Sequence, residues 1–314
     1  MVKYVGGVDS LEDKKNYGDL LMLAIKSILL ALCGVVFPFL YIFFPSMYIV
    51  ESIKEGILKI MGIFIGVCVL LGAIFNPIDG FVVFTIFGPL ILVFHYMITS
   101  RRSRTHIFIA GAISFFASVI VLLVSFGINS EVLNSKKTLE GLINIYTNIG
   151  SEVGLADTEI FDITSRVSNL YYTFLQMAPS YLIISSLVFS YIVYISVVRT
   201  MFAKGRIIIG PPSLEFIKIP KEVIFLGFAT IGVLYLLKFP QGTEIIYKNL
   251  LFILLFLLFV EGLAIIKFFM TSMKVSRFLQ TIIIIVSLTF PFLQMLFIFL
   301  GAVDLFIDFR KIGV

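Results

Sequence analysis

The chain has 314 residues, 60% of them hydrophobic and only 14% charged, with a mean hydropathy of +1.09. A soluble domain carries about 25% charged residues, so a water-soluble globule, a disordered chain and a disulfide scaffold are excluded and the chain reads as an integral membrane protein. Its net charge of +5 is then an orientation signal rather than a nucleic-acid signal, because Lys and Arg accumulate in cytoplasmic loops.

Residues 1–19 form a polar N-terminal segment with charges of both signs, unlike the basic start of a cleaved signal peptide. Apolar runs follow at Leu20–Val36, Phe37–Val50, Ile57–Phe75, Phe81–Ile98, Ile107–Ile128, Phe174–Val198, Val223–Leu237, Leu250–Ile266 and Phe278–Val303. About 20 helical residues cross a hydrocarbon core. Backbone groups in lipid must be satisfied internally, and the runs lack the alternation of a barrel. They predict an all-α polytopic transmembrane helix bundle of eight or nine segments. The ambiguity is Leu20–Val50, where Pro38 and Pro45 each remove a backbone donor. A full helix to about Val36, then a short or re-entrant piece, is expected there. The organisation is therefore N-terminal membrane helices over 20–128, an extracytoplasmic loop over 129–173, and C-terminal membrane helices over 174–314.

Three loops each carry a net charge of +3: Arg101–Arg104, Arg199–Glu222 and Lys267–Arg277. If each intervening run crosses once, all three share one face, which the positive-inside rule makes cytoplasmic in the cell membrane. Ser130–Tyr171, at −3, falls on the other face. Its apolar residues recur at helical spacing, over Leu139–Ile149 and again over Ile160–Tyr171. Two amphipathic helices are expected, capping the outer mouth, lying on the lipid interface, or closing as a lid over a cavity. One crossing by Phe278–Val303 would carry the end of the chain to the outer face.

Glu261 is the most unusual residue, a carboxylate within Leu250–Ile266 and six positions before Lys267. A charge at that depth is costly, so it should face the bundle interior as a ligand or cation contact, or bond a neighbouring helix. Gln294, after the kink expected at Pro291, and Gln176 are the other candidate ligand contacts. Gly62 and Gly66 form a small-xxx-small pair suited to close helix packing. Cys33 and Cys68 lie in apolar runs without a CxxC, and two histidines give a metal site little support. No P-loop, dinucleotide or GxSxG pattern occurs, so neither an enzyme nor a bound cofactor is expected. Lone partners such as nucleic acid are not expected either; the expected surroundings are the lipid bilayer.

Three passages carry a family resemblance: Phe216–Lys221 with Pro220, Glu261–Ala264 with Gly262, and Leu300–Arg310 with Gly301, Asp304, Asp308 and Arg310. Their order and spacing, with Pro179 after the long loop, resemble the YybS-like family of uncharacterised bacterial membrane proteins. That family is grouped with proteins similar to the S components of energy-coupling-factor transporters. The resemblance implies a solute-binding or transport component that borrows a coupling subunit and an ATPase. A structural or regulatory protein that assembles with partner membrane proteins is the alternative. In the first reading the pocket would lie among the late helices near the outer face, beneath Ser130–Tyr171, with Glu261 and Gln294 as its inner polar lining. Asp304 and Asp308 share a helical face four residues apart, Arg310 does not share it if the helix continues, and the three either pair with another segment to hold the terminal helix or anchor it at the interface.

Overall fold

The computed structural model describes residues 9–128, 132, 135–236 and 243–311. The first eight residues of the polar N-terminal segment and parts of the 129–173 loop lie outside this set. Among the described residues the regular structure is helical, with no strand.

The helices are α1 (Asp9–Val36), α2 (Phe44–Glu55), α3 (Ile57–Ile74), α4 (Pro77–Thr99), α5 (Arg104–Ser125), α6 (Lys136–Glu152), α7 (Asp157–Ala203), α8 (Lys221–Leu236), α9 (Thr243–Ser272), α10 (Arg277–Thr289) and α11 (Pro291–Ile307). Five of them, α3, α4, α5, α7 and α9, are long and apolar enough to cross a membrane. A sixth span results if the bent pair α10–α11 counts as one. The expected eight or nine segments counted shorter pieces as crossings. At 1.5 Å per residue, the 12 residues of α2 and the 16 of α8 fall short of the hydrocarbon thickness.

Local chemistry sets the boundaries. Pro38 starts a short 3-10 turn over Pro38–Phe43 that separates α1 from α2, so the proline-rich stretch breaks where the sequence predicts. Gly56, with φ of +92°, turns the chain between α2 and α3, a conformation that only glycine adopts cheaply. The side chains of Asn76, Ser103, Ser135 and Ser276 each accept a hydrogen bond from a first-turn amide of the helix that follows.

The chain divides into two compact units, 1–132 with 185–211, and 133–184 with 212–314. The core of the first is aromatic, with Phe44, Tyr48, Phe64 and Phe94 fully buried, and Tyr48 meets Phe64 edge-on. Serine hydroxyls tie its helices together: Ser190 donates to the Phe108 carbonyl at 2.8 Å, and the Ser196 and Ser46 hydroxyls lie 3.1 Å apart. The core of the second is aliphatic around Ile224, Leu254, Leu258 and Leu305, extended by Phe259, Leu263 and Phe297.

The two amphipathic stripes of the 129–173 loop are both helical, but only the first forms a separate helix, α6. The second is continuous with the next membrane run. Ile160–Tyr171 and Phe174–Val198 lie on one 47-residue helix, α7, which Pro179 does not break. The second stripe is thus the polar extension of a membrane helix, not an independent helix on the interface.

Candidate functional site

In the second unit the three passages that carry the family resemblance meet at one point. α9 brings Glu261, α11 brings Asp304, and the stretch before α8, a 3-10 turn over Leu214–Phe216 and the extended residues after it, brings the backbone of 215–219. The Arg310 guanidinium closes them together. It donates to a Glu261 oxygen, to Asp304 Oδ2 at 3.0 Å and to the Ile217 carbonyl at 2.7 Å. The second Glu261 oxygen accepts from the Ile219 amide at 2.8 Å, and Asp304 Oδ1 accepts from the Phe309 amide at 2.7 Å. The three side chains are 0%, 2% and 1% exposed, so two carboxylates share one guanidinium away from solvent. Each is held by backbone groups as well, as buried charges require.

The turn at Asp308 makes this possible. Asp308 takes the left-handed conformation (φ 49°, ψ 64°), ends α11 and turns Phe309 and Arg310 back towards Asp304. Helical continuation would have kept Arg310 off that face. Asp308 itself bonds Lys218 Nζ at 2.8 Å, and that bond, with the charge of Lys218, holds its carboxyl below the usual carboxylate range. Nearby, Lys267 pairs with Glu215 at 3.0 Å. Burial works against the Glu215 charge, but hydrogen bonds, one of them from Lys267, outweigh it and hold its pKa down. Asp308 and Arg310 therefore lie at the Lys267 end of α9, beside 215–219. The ending does not emerge at the opposite end, as one straight crossing would require. The reason is the 104° bend between α10 and α11 at Pro291.

Glu261 is not a lone charge at its depth. Asp304 and Arg310 face it, from 43 and 49 positions further along the chain. Neither Glu261 oxygen is left open to a ligand, since Arg310 takes one and the Ile219 amide the other.

Close approach of the two helices allows the network to close. Gly262 on α9 lies against the Phe297 carbonyl of α11, and Gly301 on α11 lies against the Leu258 carbonyl of α9. The helices thus cross at a point with no room for a side chain on either partner. Gly62 and Gly66 are exposed on α3 instead, and no described atom lies within 4 Å of where their side chains would begin. Among the described residues they pack against nothing, because that face of α3 points away from α2 and α4.

The remaining predicted residues serve the backbone. Pro220 is exposed, and its carbonyl accepts from the Val223 amide at the start of α8. Gln294 does not reach Glu261; it is half-buried and donates to the Leu288 carbonyl, freed by the break at Pro291, at 2.7 Å. The Gln176 side chain is exposed, and only its carbonyl is used. Just past Pro179, the side-chain amide of Asn249 enters the α7 ladder. It donates to Gln176 O at 2.6 Å and accepts from Ser180 N at 2.9 Å, replacing the bond those two groups would make to each other. Asn249 sits at the polar edge of a long apolar run and gives no motif, so its role was not visible in the sequence.

The first unit holds a cavity of about 750 Å³ that the sequence did not point to. Met47, Val50, Glu51 and Lys54 share one face of α2 at helical spacing and form one wall. Lys26 comes from α1, and Lys204 and Arg206 come from the end of α7 and the turn beyond it. Glu51 pairs with Lys204, and Lys54 pairs with Glu55 at 3.2 Å.

No group of three or more His, Cys, Asp or Glu that could hold a metal occurs among the described residues. No curated protein and no solved structure matches the chain. A family model does match, described as "predicted membrane protein (DUF2232)", over residues 24–305, which takes in all five membrane-crossing helices, the Glu261 position and Asp304. The chain belongs to this DUF2232 family of membrane proteins.

Proposed function

We propose that the chain is a solute-binding component of a membrane transport system, of the YybS-like kind and resembling an S component. It would bind its solute without chemistry of its own, and a coupling subunit and ATPase would come from other chains. The observation that supports this is the cavity of about 750 Å³ in the first unit, a volume in the usual range for small-molecule sites. The binding place moves with it. Glu261 and Gln294 were the expected lining, but both are engaged with protein groups. The reading takes the three basic loops as cytoplasmic, so the cavity beside Lys204 and Arg206 opens towards that face. In a thermal-shift screen of vitamins, metal ions and small metabolites on the purified protein, at least one compound is expected to raise the melting temperature in proportion to its concentration. A broad library with no stabilising compound would overturn the reading.

One observation favours assembly with partner proteins as a second reading. Gly62 and Gly66 lie open on α3, and nearby Ile65, Val69, Gly72 and Ala73 line an apolar groove of about 520 Å³. Small residues that find no neighbour among the described residues suit a helix from another chain. Gly66→Leu should then abolish oligomers or co-purifying partners while moving stability by less than about 0.5 kcal/mol. A wild-type chain that purifies alone as a monomer argues against assembly.

A further inference from the structure

The cavity of the first unit has a charge pattern that specifies a ligand class. Four of its lining side chains are cations, Lys26, Lys54, Lys204 and Arg206, and one, Glu51, is a carboxylate. Glu51 serves Lys204, and Glu55 serves Lys54. Lys26 and Arg206 have no ion-pair partner among the described residues. The site therefore keeps about two positive charges beyond its own acids.

Arg206 is held there by the backbone. Gly205 takes a φ of +74°, and the Arg206 amide donates back to the Met201 carbonyl at 2.9 Å. This is the glycine-capped helix end in which the chain reverses over its last turn. It returns Arg206 to the end of α7 beside Lys204. Lys26 stands on the same face of α1 as Met22 and Leu23, one turn away. The apolar part of the lining is rich in methionine, with Met22, Met47 and Met201. Unbranched thioether chains adapt to irregular apolar shapes.

We propose that this cavity binds a phosphate-bearing anion with an apolar part, the phosphate on Lys26 and Arg206 and the apolar part on the methionine side. A phosphate monoester carries about −1.5 to −2 at neutral pH, which matches the surplus charge; a single carboxylate leaves part of it unmatched. The arginine fork and the lysines also suit the several acceptor oxygens of a phosphate. The same chemistry is offered by a lipid whose headgroup is a phosphate monoester and by a soluble phosphate monoester. The proposal rests on the solute-binding reading and names the ligand class for it.

The test uses the full chain in nanodiscs of phosphatidylcholine, titrated with hexyl phosphate and, in parallel, with hexanoate. Hexyl phosphate is expected to saturate and to bind at least tenfold tighter than hexanoate. K26Q with R206Q should weaken it at least tenfold, and R206Q alone by a smaller factor, which keeps the comparison available if the double variant folds poorly. Native mass spectrometry of protein extracted with its own lipids separates the sources. One retained phosphomonoester lipid, lost in R206Q, identifies a lipid headgroup; hexyl phosphate binding with no retained lipid of that class identifies a soluble ester. Equal affinity for hexanoate, or hexyl phosphate binding unaffected by both variants, overturns the assignment. If a library compound without phosphate binds in a manner that K26Q with R206Q abolishes, the phosphate class fails and solute binding stands. If no compound of any class binds, both fail.

Discussion

Arg310→Met destabilises the second unit by about 3–5 kcal/mol, the cost typical of removing one partner from a buried ion pair. Glu261 and Asp304 then remain buried without a cation, and the carbonyls of Glu215 and Ile217 lose their donor. The measurement is thermal or denaturant unfolding of the purified protein in a mild detergent. The informative control is the triple variant Arg310→Met, Glu261→Gln, Asp304→Asn. It removes the charges together, so it should unfold well above the single variant. If Arg310→Met unfolds with the wild type, the guanidinium is not what holds the three segments. If the triple variant is no better than the single one, the loss is one of packing rather than of charge.

Gly262→Ala and Gly301→Ala are each expected to cost about 1–3 kcal/mol, the range for forcing extra atoms into a packed interface. A methyl carbon at Gly262 would fall on the Phe297 carbonyl, and one at Gly301 on the Leu258 carbonyl. These are backbone atoms of two helices, so relief requires the helices to separate. Separation also draws Asp304 away from Glu261, and the two effects compound. Gly62→Ala and Gly66→Ala serve as the reference, because nothing lies near either position. Unfolding measured on all four variants decides the matter. Equal stability across them would mean that the α9–α11 crossing yields more easily than its geometry implies.

The same four glycines mark how far the sequence could be read. Gly62 and Gly66 sit four apart on one helix, a spacing visible by inspection. Gly262 and Gly301 belong to different helices 39 positions apart, so their pairing shows only once α9 and α11 cross. The helical fold class was legible, because hydropathy acts locally, and so were the breaks at Pro38 and Pro291. The residues of the network were legible too, as three separate passages and an ending suited to ion pairing. Their convergence was not, since it depends on the left-handed turn at Asp308, which no glycine announces. Helix continuity also escaped the sequence. The polar stripe at Ile160–Tyr171 looked like a separate element because its composition differs from that of Phe174–Val198, although the backbone hydrogen bonds continue between them. The cationic cavity drew on three distant segments, α1, α2 and the end of α7, so no local pattern marks it.

The position of Arg310 in the chain has a consequence during synthesis. Glu261 is made 49 residues before the guanidinium that balances it. At 5–20 residues per second, the nascent chain carries that carboxyl for roughly 2–10 s without its counter-charge, and Asp304 joins it before Arg310 does. A ribosome that stops anywhere between Glu261 and Arg310 therefore releases a chain with an unbalanced acid near or inside the membrane.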